Sequence, residues 1–201
     1  MIVVIDYGMG NLRSVAKAVE KSGYSVKVSG EYLDIKRAKK IILPGVGAFG
    51  KAMENLKRQG ILDVIKEKLK EGTPYLGICL GLQLLFEWSE EGNTKGMGVI
   101  KGVVKRFPNL PSLKIPHMGW NKVKLRMEGE NLFDGIPDNS YFYFTHSYYV
   151  IPVEKEIIAT TTFYGVEFVS SIKKGNLFAC QFHPEKSGKI GLKLLENFLK
   201  S

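Results

Sequence analysis

Residues 74–86, PYLGICLGLQLLF, join a strand-like apolar run to a helix-like apolar run through a single cysteine. From Gly77 to Gly81 the order is glycine, any residue, nucleophile, any residue, glycine, which is typical of a strand that turns abruptly into a helix. Small flanking residues relieve the crowding of such a turn and leave its middle side chain accessible. The pattern predicts a strand over 74–78, a helix from Leu80 to about Ser89, and Cys79 as a nucleophile between them.

The position of Cys79 favours reactivity. The positive end of a helix dipole favours a thiolate at the helix start. The backbone N–H of Leu80 would lack a helical partner and could stabilise a developing oxyanion. The alternative interpretation is a buried structural cysteine, which this segment alone does not exclude.

Outward from this turn, residues 1–100 alternate β-branched runs with amphipathic helices, a pattern typical of parallel strands joined by crossover helices. From Gly98 onward, closely spaced runs predict antiparallel strands or hairpins. The predicted strands are 2–5, 25–28, 40–43, 74–78, 103–107, 123–125, 141–144, 157–163, 168–172 and 177–182. The other predicted helices are 11–22, capped by Asn11, then 49–59, 61–71 and 189–199. We expect an α/β fold whose central, mostly parallel sheet is flanked by helices, in one domain over 1–201.

A thiol nucleophile needs a base and a group that orients the base. His183 follows the strand over 177–182, and Glu185 comes two residues later. In an extended segment, positions i and i+2 point to the same side, so Glu185 could hydrogen-bond the imidazole of His183. Strand ends that are distant in sequence meet at one edge of a sheet, so His183 can reach Cys79. A surface histidine and glutamate in a loop remain the alternative.

Two glycine-rich turns follow early strands. Residues 45–50, GVGAFG, match the G-x-G-x-x-G pattern, but a dinucleotide site requires the first βαβ unit and an acidic residue at the end of the next strand. We interpret the turn as backbone N–H groups that approach a ligand closely. Residues 8–11, GMGN, form a similar turn, for which a simple helix cap is an equal alternative.

Cys180 has the parity of Phe178 and Phe182 in its predicted strand, so we expect it in the core. A zinc site from Cys79, Cys180 and His183 would need ligands from opposite faces of that strand. We therefore expect no metal and no cofactor.

Composition sets the remaining limits. Lys and Arg number 29 against 20 Asp and Glu, a net charge of +9, but most basic residues alternate with acidic ones at helical spacing, as on solvated helix faces. This argues against a nucleic-acid partner. Two cysteines are too few for a disulfide scaffold, and neither a membrane span nor a secretory signal is expected. We expect a cytoplasmic protein.

The motifs together resemble a known family. The turn around Cys79 followed by Gln83, together with residues 181–185, QFHPE, resembles the class I, or triad-type, glutamine amidotransferases. Three more segments, 6–11 (DYGMGN), 44–50 (PGVGAFG) and 116–121 (PHMGWN), are similar to the glutaminase subunits of imidazole glycerol phosphate synthase. The resemblance covers essentially the whole chain.

The resemblance implies residue roles. Cys79 would attack the side-chain amide carbon of glutamine to form a thioester and release ammonia, His183 would carry the protons, and Glu185 would orient His183. The positions that match the family's oxyanion and substrate contacts are Gly45, Val46, Gly47, Leu80, Gln83, Glu91, His146, Ser147 and Tyr148.

The resemblance also implies a partner. Ammonia must reach a second active site, so the expected assembly is a heterodimer with the (β/α)8 cyclase subunit, and ammonia crosses the interface. The candidate interface residues, each of which could equally have a local structural role, are Tyr7, Asn11, Trp120, Tyr143, Lys186 and Lys189. The glutaminase of another synthase, a catalytically silent scaffold and a stand-alone cysteine hydrolase stay open as alternatives.

Overall fold

The computed structural model describes residues 1–111, 113–126 and 131–201. The strands β1 to β13 are, in chain order, Ile2–Ile5, Val26–Ser29, Lys40–Gly45, Tyr75–Cys79, Phe86–Ser89, Thr94–Lys95, Ile100–Arg106, His117–Leu125, Ser140–His146, Tyr148–Pro152, Ile158–Tyr164, Val166–Lys174 and Leu177–Cys180. The helices α1 to α6 are Leu12–Lys21, Tyr32–Lys36, Phe49–Arg58, Leu62–Lys70, Leu80–Gln83 and Gly188–Lys200.

One mixed sheet organises the molecule. Its parallel half runs in the order β2-β1-β3-β4-β13, and the sheet continues through the antiparallel strands β12, β10 and β7 to β5 and β6. A branch of antiparallel strands, β11, β8 and β9, leaves from β12. The predicted α/β class, with a parallel centre and antiparallel strands in the C-terminal half, is confirmed.

Helices cover both faces of the parallel strands because these strands are apolar on both sides. Val3 and Ile5 face a core that includes Leu56 of α3 and Ile65 of α4. Their neighbour Val4 faces the opposite core. That second core also contains Val15 and Val19 of α1 and Leu194, Leu195 and Phe198 of α6. The sheet is thus buried between two layers, and ligands can reach the strands at their carboxyl ends.

The predicted helix from Leu80 to about Ser89 is wrong in length. Helix α5 ends at Gln83, and Phe86 begins strand β5, which pairs in parallel with β7. The carbonyls of Leu84 and Leu85 accept hydrogen bonds from the backbone N–H groups of residues 97, 99 and 100 and not from a continuing helix. A short buried apolar run suits a strand or a helix equally, and long-range pairing decided between them.

Other predicted boundaries also differ. The sequence prediction omitted α2 and β10, and β8 begins at His117, well before the predicted start at 123. Asn11 is the N-cap residue of α1, as predicted, and its carbonyl accepts the N–H of Val15, but its side chain makes no capping hydrogen bond. Within the described part of the chain, no helix combines the length and apolarity needed to cross a bilayer.

Candidate active site

The turn at Cys79 has the strained geometry that the sequence predicts. Cys79 ends β4 with φ 54° and ψ −106°, a left-handed conformation that costs a non-glycine residue about 1–3 kcal/mol. A Cβ atom on Gly81 would lie 1.9 Å from the carbonyl oxygen of Leu43, and one on Gly77 would lie 2.6 Å from that of Gly81. The two glycines therefore let α5 pack directly against the sheet and hold the cysteine backbone in this conformation.

Two polar groups surround the sulfur of Cys79. The carbonyl oxygen of Thr145 lies 3.7 Å from Sγ, where it can accept only from the protonated thiol, and the Nε2 group of Gln181 donates to Sγ at 3.4 Å. Neither Thr145 nor Gln181 was among the predicted site residues. The sequence could have indicated that Gln181 belongs to the site. Gln181 has the same strand parity as His183, and a buried amide requires polar partners.

His183 and Glu185 meet as predicted, but not through an extended segment. His183 Nδ1 lies 2.8 Å from Glu185 Oε1, and both side chains are at most 2% exposed. Pro184–Lys186 forms a turn of 3-10 helix, closed by the bond from Lys186 N–H to the His183 carbonyl. This turn folds the carboxylate back onto the imidazole. The predicted proximity is therefore right, and the predicted backbone conformation is wrong.

Charge around His183 favours its protonated form. Burial lowers the pKa of His183, but the thiolate of Cys79 and the carboxylate of Glu185 outweigh burial and raise that pKa well above 6.5. His183 Nε2 is buried and has no hydrogen-bond partner among the described residues. The imidazolium and the thiolate therefore interact mainly through charge, and Nε2 is free to exchange a proton with a bound substrate.

The helix dipole at Cys79 is weaker than the sequence pattern predicts. Helix α5 spans only Leu80–Gln83, a single turn, and the macrodipole sums over aligned peptide units. The nearest charge to the Cys79 side chain is therefore that of His183, and not that of a long helix dipole.

A cavity of about 250 Å³ opens above the sulfur. It is lined by Val46, Gly47, Cys79, Leu80, Gln83, Glu91, Pro116, Thr145, His146, Ser147 and Tyr148. Every predicted oxyanion or substrate residue except Gly45 is in this set. Gly45 is closely packed, since a Cβ there would lie 2.5 Å from the Tyr7 hydroxyl and 2.7 Å from Leu80 Cβ. Pro116 lines the cavity but was not among the predicted site residues.

Glu91 and Gln83 present polar groups at the cavity wall. One oxygen of Glu91 accepts the backbone N–H of Phe49, the first residue of α3, at 2.8 Å. Gln83 Nε2 donates to the carbonyl of Tyr148 and to Oε1 of Gln181, both at 3.0 Å. A carboxylate and several carbonyl groups around a thiolate suit a small polar ligand that carries an ammonium group.

The predicted interface residues lie partly at the surface. Trp120 is 55% exposed, and its ring centroid lies 6.1 Å from that of the half-buried Tyr143. Lys186 Nζ lies 5.9 Å from the centre of the Tyr143 ring. Lys189 is exposed and Asn11 is half-buried.

Tyr7 does not fit the predicted interface. Its side chain is 0% exposed and belongs to the core that packs on α3 and α4. Burial, and to a smaller extent the Cys79 thiolate, raise the pKa of Tyr7. Aromatic residues in loops are often buried against their own fold, and the position of Tyr7 beside a glycine turn did not distinguish the two outcomes. Cys180, as predicted, is fully buried.

Comparisons with known proteins identify the family. The sequence model for "Glutamine amidotransferase class-I" matches residues 3–201. The chain is 53% identical to imidazole glycerol phosphate synthase subunit HisH of Moorella thermoacetica, over 98% of this chain and 93% of that one. It is 52% identical to subunit HisH of Aquifex aeolicus, over 98% and 94%.

Solved structures share the fold at lower identity. The structure of PurLQS from Thermotoga maritima matches with a TM-score of 0.77 and 20% identity, over 99% of this chain and 97% of that one. A crystal structure of a glutamine amidotransferase matches with a TM-score of 0.74 and 18% identity, over 100% and 98%. The relatives are about half identical along nearly the whole chain, and the elbow around Cys79 and the buried His183–Glu185 pair are consistent with their family. This chain therefore belongs to the class I glutamine amidotransferases, among the HisH subunits of imidazole glycerol phosphate synthase.

Proposed function

We propose that Cys79, His183 and Glu185 are the residues with which this chain hydrolyses glutamine. Family membership makes the chain the glutaminase subunit of an imidazole glycerol phosphate synthase, an enzyme of histidine biosynthesis. The observation that carries the residue assignment is the position of Cys79, strained at the floor of a polar cavity and coupled by charge to the buried His183–Glu185 pair.

In the first half-reaction, the Cys79 thiolate attacks the side-chain amide carbon of glutamine, and a carbon–sulfur bond forms as the carbonyl oxygen becomes an oxyanion. Backbone N–H groups at Leu80 and at Val46 and Gly47, which line the cavity, are the proposed donors to that oxyanion. His183 then gives its Nε2 proton to the leaving nitrogen, the carbon–nitrogen bond breaks, and ammonia and a thioester remain.

In the second half-reaction, water attacks the thioester. His183, now neutral, takes a proton from this water at Nε2, and Glu185 stabilises the imidazolium that forms through its 2.8 Å contact with Nδ1. The carbon–sulfur bond breaks, which restores the thiolate–imidazolium pair and releases glutamic acid, whose new carboxyl group loses its proton to water.

We assign the cavity wall to substrate binding. The second oxygen of Glu91 is a suitable partner for the α-ammonium of glutamine, because its first oxygen is held by Phe49 N–H. Gln83 and the backbone of His146, Ser147 and Tyr148 supply amide groups to the rest of the substrate.

The names of the relatives describe a subunit, so a cyclase subunit is the partner. We propose that this partner is a (β/α)8 barrel, that the two chains form a heterodimer, and that ammonia crosses between them. The exposed Trp120, with Tyr143 and Lys186 beside it, is our candidate contact surface, and Asn11 and Lys189 are further candidates. A cytoplasmic location stays a prediction, in keeping with two unpaired cysteines.

The proposal is tested by Cys79→Ala, assayed for glutamate formation in the presence of the cyclase subunit and its ligand. We expect the rate to fall by at least about 10³-fold, because loss of a nucleophile removes the covalent pathway. The matched control is Cys180→Ala, which removes a buried thiol outside the cavity and should leave the rate unchanged. Equal rates for Cys79→Ala and the wild type would refute the assignment.

Two further measurements separate the alternatives. A diazoketone analogue of glutamine should label Cys79, whereas a silent scaffold would stay unlabelled. Hydrolysis of peptides or esters by the isolated chain would instead support a stand-alone hydrolase.

A further inference from the structure

Two histidines outside the proposed triad form a buried hydrogen-bonded pair beside the cavity. His117 is 3% exposed and His146 is 6% exposed. His117 Nδ1 lies 2.9 Å from His146 Nε2, and His146 Nδ1 lies 2.7 Å from the carbonyl oxygen of Tyr148. His117 on β8 and His146 on β9 lie directly opposite each other in the antiparallel pairing of these two strands.

The position of each proton follows from these contacts. A carbonyl oxygen only accepts, so His146 must carry its proton on Nδ1, and in the neutral ring Nε2 must accept. His117 must therefore donate from Nδ1, which leaves its own Nε2 as an acceptor. Asn121 Nδ2, 3.2 Å away, supplies that hydrogen bond.

Backbone groups determine the orientation of Asn121. Its Nδ2 group also donates to the carbonyl of Phe163 at 3.0 Å, and its Oδ1 accepts the N–H of Lys122 at 2.8 Å. Hydrogen bonds therefore run in one direction, from Asn121 to His117, to His146 and to the carbonyl of Tyr148. We call these four residues the histidine relay.

Packing and burial keep both rings in place and neutral. His117 stacks between Phe144 and Tyr164, with ring centroids 4.7 and 3.9 Å away. Burial lowers the pKa of His117 to about 4 and is the main cause that lowers the pKa of His146 to about 3. Protonation of either ring would break the pattern by setting two N–H groups against each other.

The inner end of the relay belongs to the cavity wall. His146 and Tyr148 both line the cavity, and the bond between them closes the turn that joins β9 to β10. The carbonyl of Tyr148 also accepts Gln83 Nε2, which in turn contacts Gln181. The shape of this wall thus depends on the histidine relay, which begins outside the cavity at Asn121 on β8.

We propose that His117 and Asn121 are positioning residues for glutamine: through His146 they hold the turn 146–148 in the shape that binds the substrate. This inference rests on the proposed hydrolysis of glutamine. Because the turn contacts the substrate before and during the reaction, loss of the relay should raise KM for glutamine and change kcat little.

Two substitutions of His117 separate hydrogen bonding from packing. His117→Phe keeps an aromatic ring between Phe144 and Tyr164 but leaves Nε2 of His146 without a donor. His117→Asn gives up the ring but can present an amide N–H near the former Nδ1. With the cyclase subunit present, we expect KM to rise about tenfold for His117→Phe and to stay within about threefold of wild type for His117→Asn.

Asn121→Ala should raise KM by about threefold, because His117 then loses its outer anchor but keeps its own N–H. If His117→Phe does not fold, Asn121→Ala still tests whether the histidine relay affects KM. The matched control is Asn197→Leu, which removes a buried amide that donates to the carbonyls of Leu132 and Asp134. This variant should lower the Tm without raising KM.

Several results would overturn the relay. These are an unchanged KM in His117→Phe or Asn121→Ala, a larger rise in His117→Asn than in His117→Phe, or an equal rise in Asn197→Leu. Nitrogen NMR gives a readout independent of activity, since both imidazoles should be protonated on Nδ1 at neutral pH, and any other tautomer refutes the relay. Absence of glutamine hydrolysis in the wild type would instead refute the proposed function itself.

Discussion

Cys79 and Cys180 carry the same thiol in different surroundings. Cys180 is 0% exposed and donates to the carbonyl of Phe182, and burial is the main cause that raises its pKa. Cys79 lines the cavity and has the charge of His183 nearby. The neighbouring cation, together with access to the cavity, therefore distinguishes the proposed nucleophile from the structural cysteine.

This contrast predicts a titration. A nearby thiolate favours protonated His183, so its removal in Cys79→Ala should lower the pKa of His183 from its raised value. Proton NMR of the His183 ring should show the midpoint well above 6.5 in the wild type and shifted down in the variant. Cys180→Ala should leave the midpoint in place, and the same midpoint in all three proteins would contradict the assigned charge pair.

At the scale of elements, the proposed active site depends on how closely α5 approaches β3 and β4. The contact at Gly81 has no room for a methyl group, because the Leu43 carbonyl belongs to the central strand β3 and cannot move without the sheet. The elbow therefore derives its rigidity from backbone packing. Its sequence signature, two glycines around a cysteine, reflects this steric requirement.

Gly81→Ala should lower the free energy of unfolding by about 3 kcal/mol, because the added methyl group overpacks the contact with Leu43. Urea denaturation measures this loss, and glutamine hydrolysis should fall with it. The control is Gly50→Ala in α3, where the nearest atom to a new Cβ is Thr94 Oγ1 at 3.2 Å. This control should change stability by less than about 1 kcal/mol, and a similar loss in both variants would contradict the steric explanation.

At the scale of the whole molecule, sheet order brings the site together. Strand β13 pairs in parallel with β4, with Cys180 opposite Ile78, so the residues after β13 lie beside Cys79. The branch of β11, β8 and β9 then supplies the wall at Thr145 and His146 and the exposed surface around Trp120. The cavity wall and the candidate partner surface therefore both lie on this branch of strands.

Trp120→Ala should raise the Kd for the cyclase subunit about 10- to 100-fold, because large aromatic side chains dominate protein interfaces. Isothermal titration calorimetry of the two purified subunits measures the change. Leu33→Ala, at a 58% exposed position of α2 next to the edge strand β2, is the control and should bind like the wild type. Wild-type affinity in Trp120→Ala would place the interface elsewhere.

Sequence patterns predicted the parallel half of the fold well. Strands β1, β3 and β4 and helices α1, α3 and α4 follow the predicted segments closely, because their apolar residues recur with clear periods. After Gln83 only residues 84–86 form a continuous apolar run, which is too short to distinguish a helix from a strand, so strand β5 was predicted as helix. The surroundings of Tyr7 and Gln181 were not predicted either. The burial and the hydrogen-bond partners of a side chain depend on which strands become neighbours.

The sequence alone predicted the α/β class, the elbow at Cys79 and the proximity of His183 to Glu185, because each prediction depends on a pattern of residues close together in the chain. The cavity wall, the bond from Gln181 to the sulfur, the burial of Tyr7 and the histidine relay depend on contacts between strands that are far apart in sequence. Those contacts follow from which strands become neighbours in the sheet, whereas the periodicity of a segment indicates only whether it is a helix or a strand.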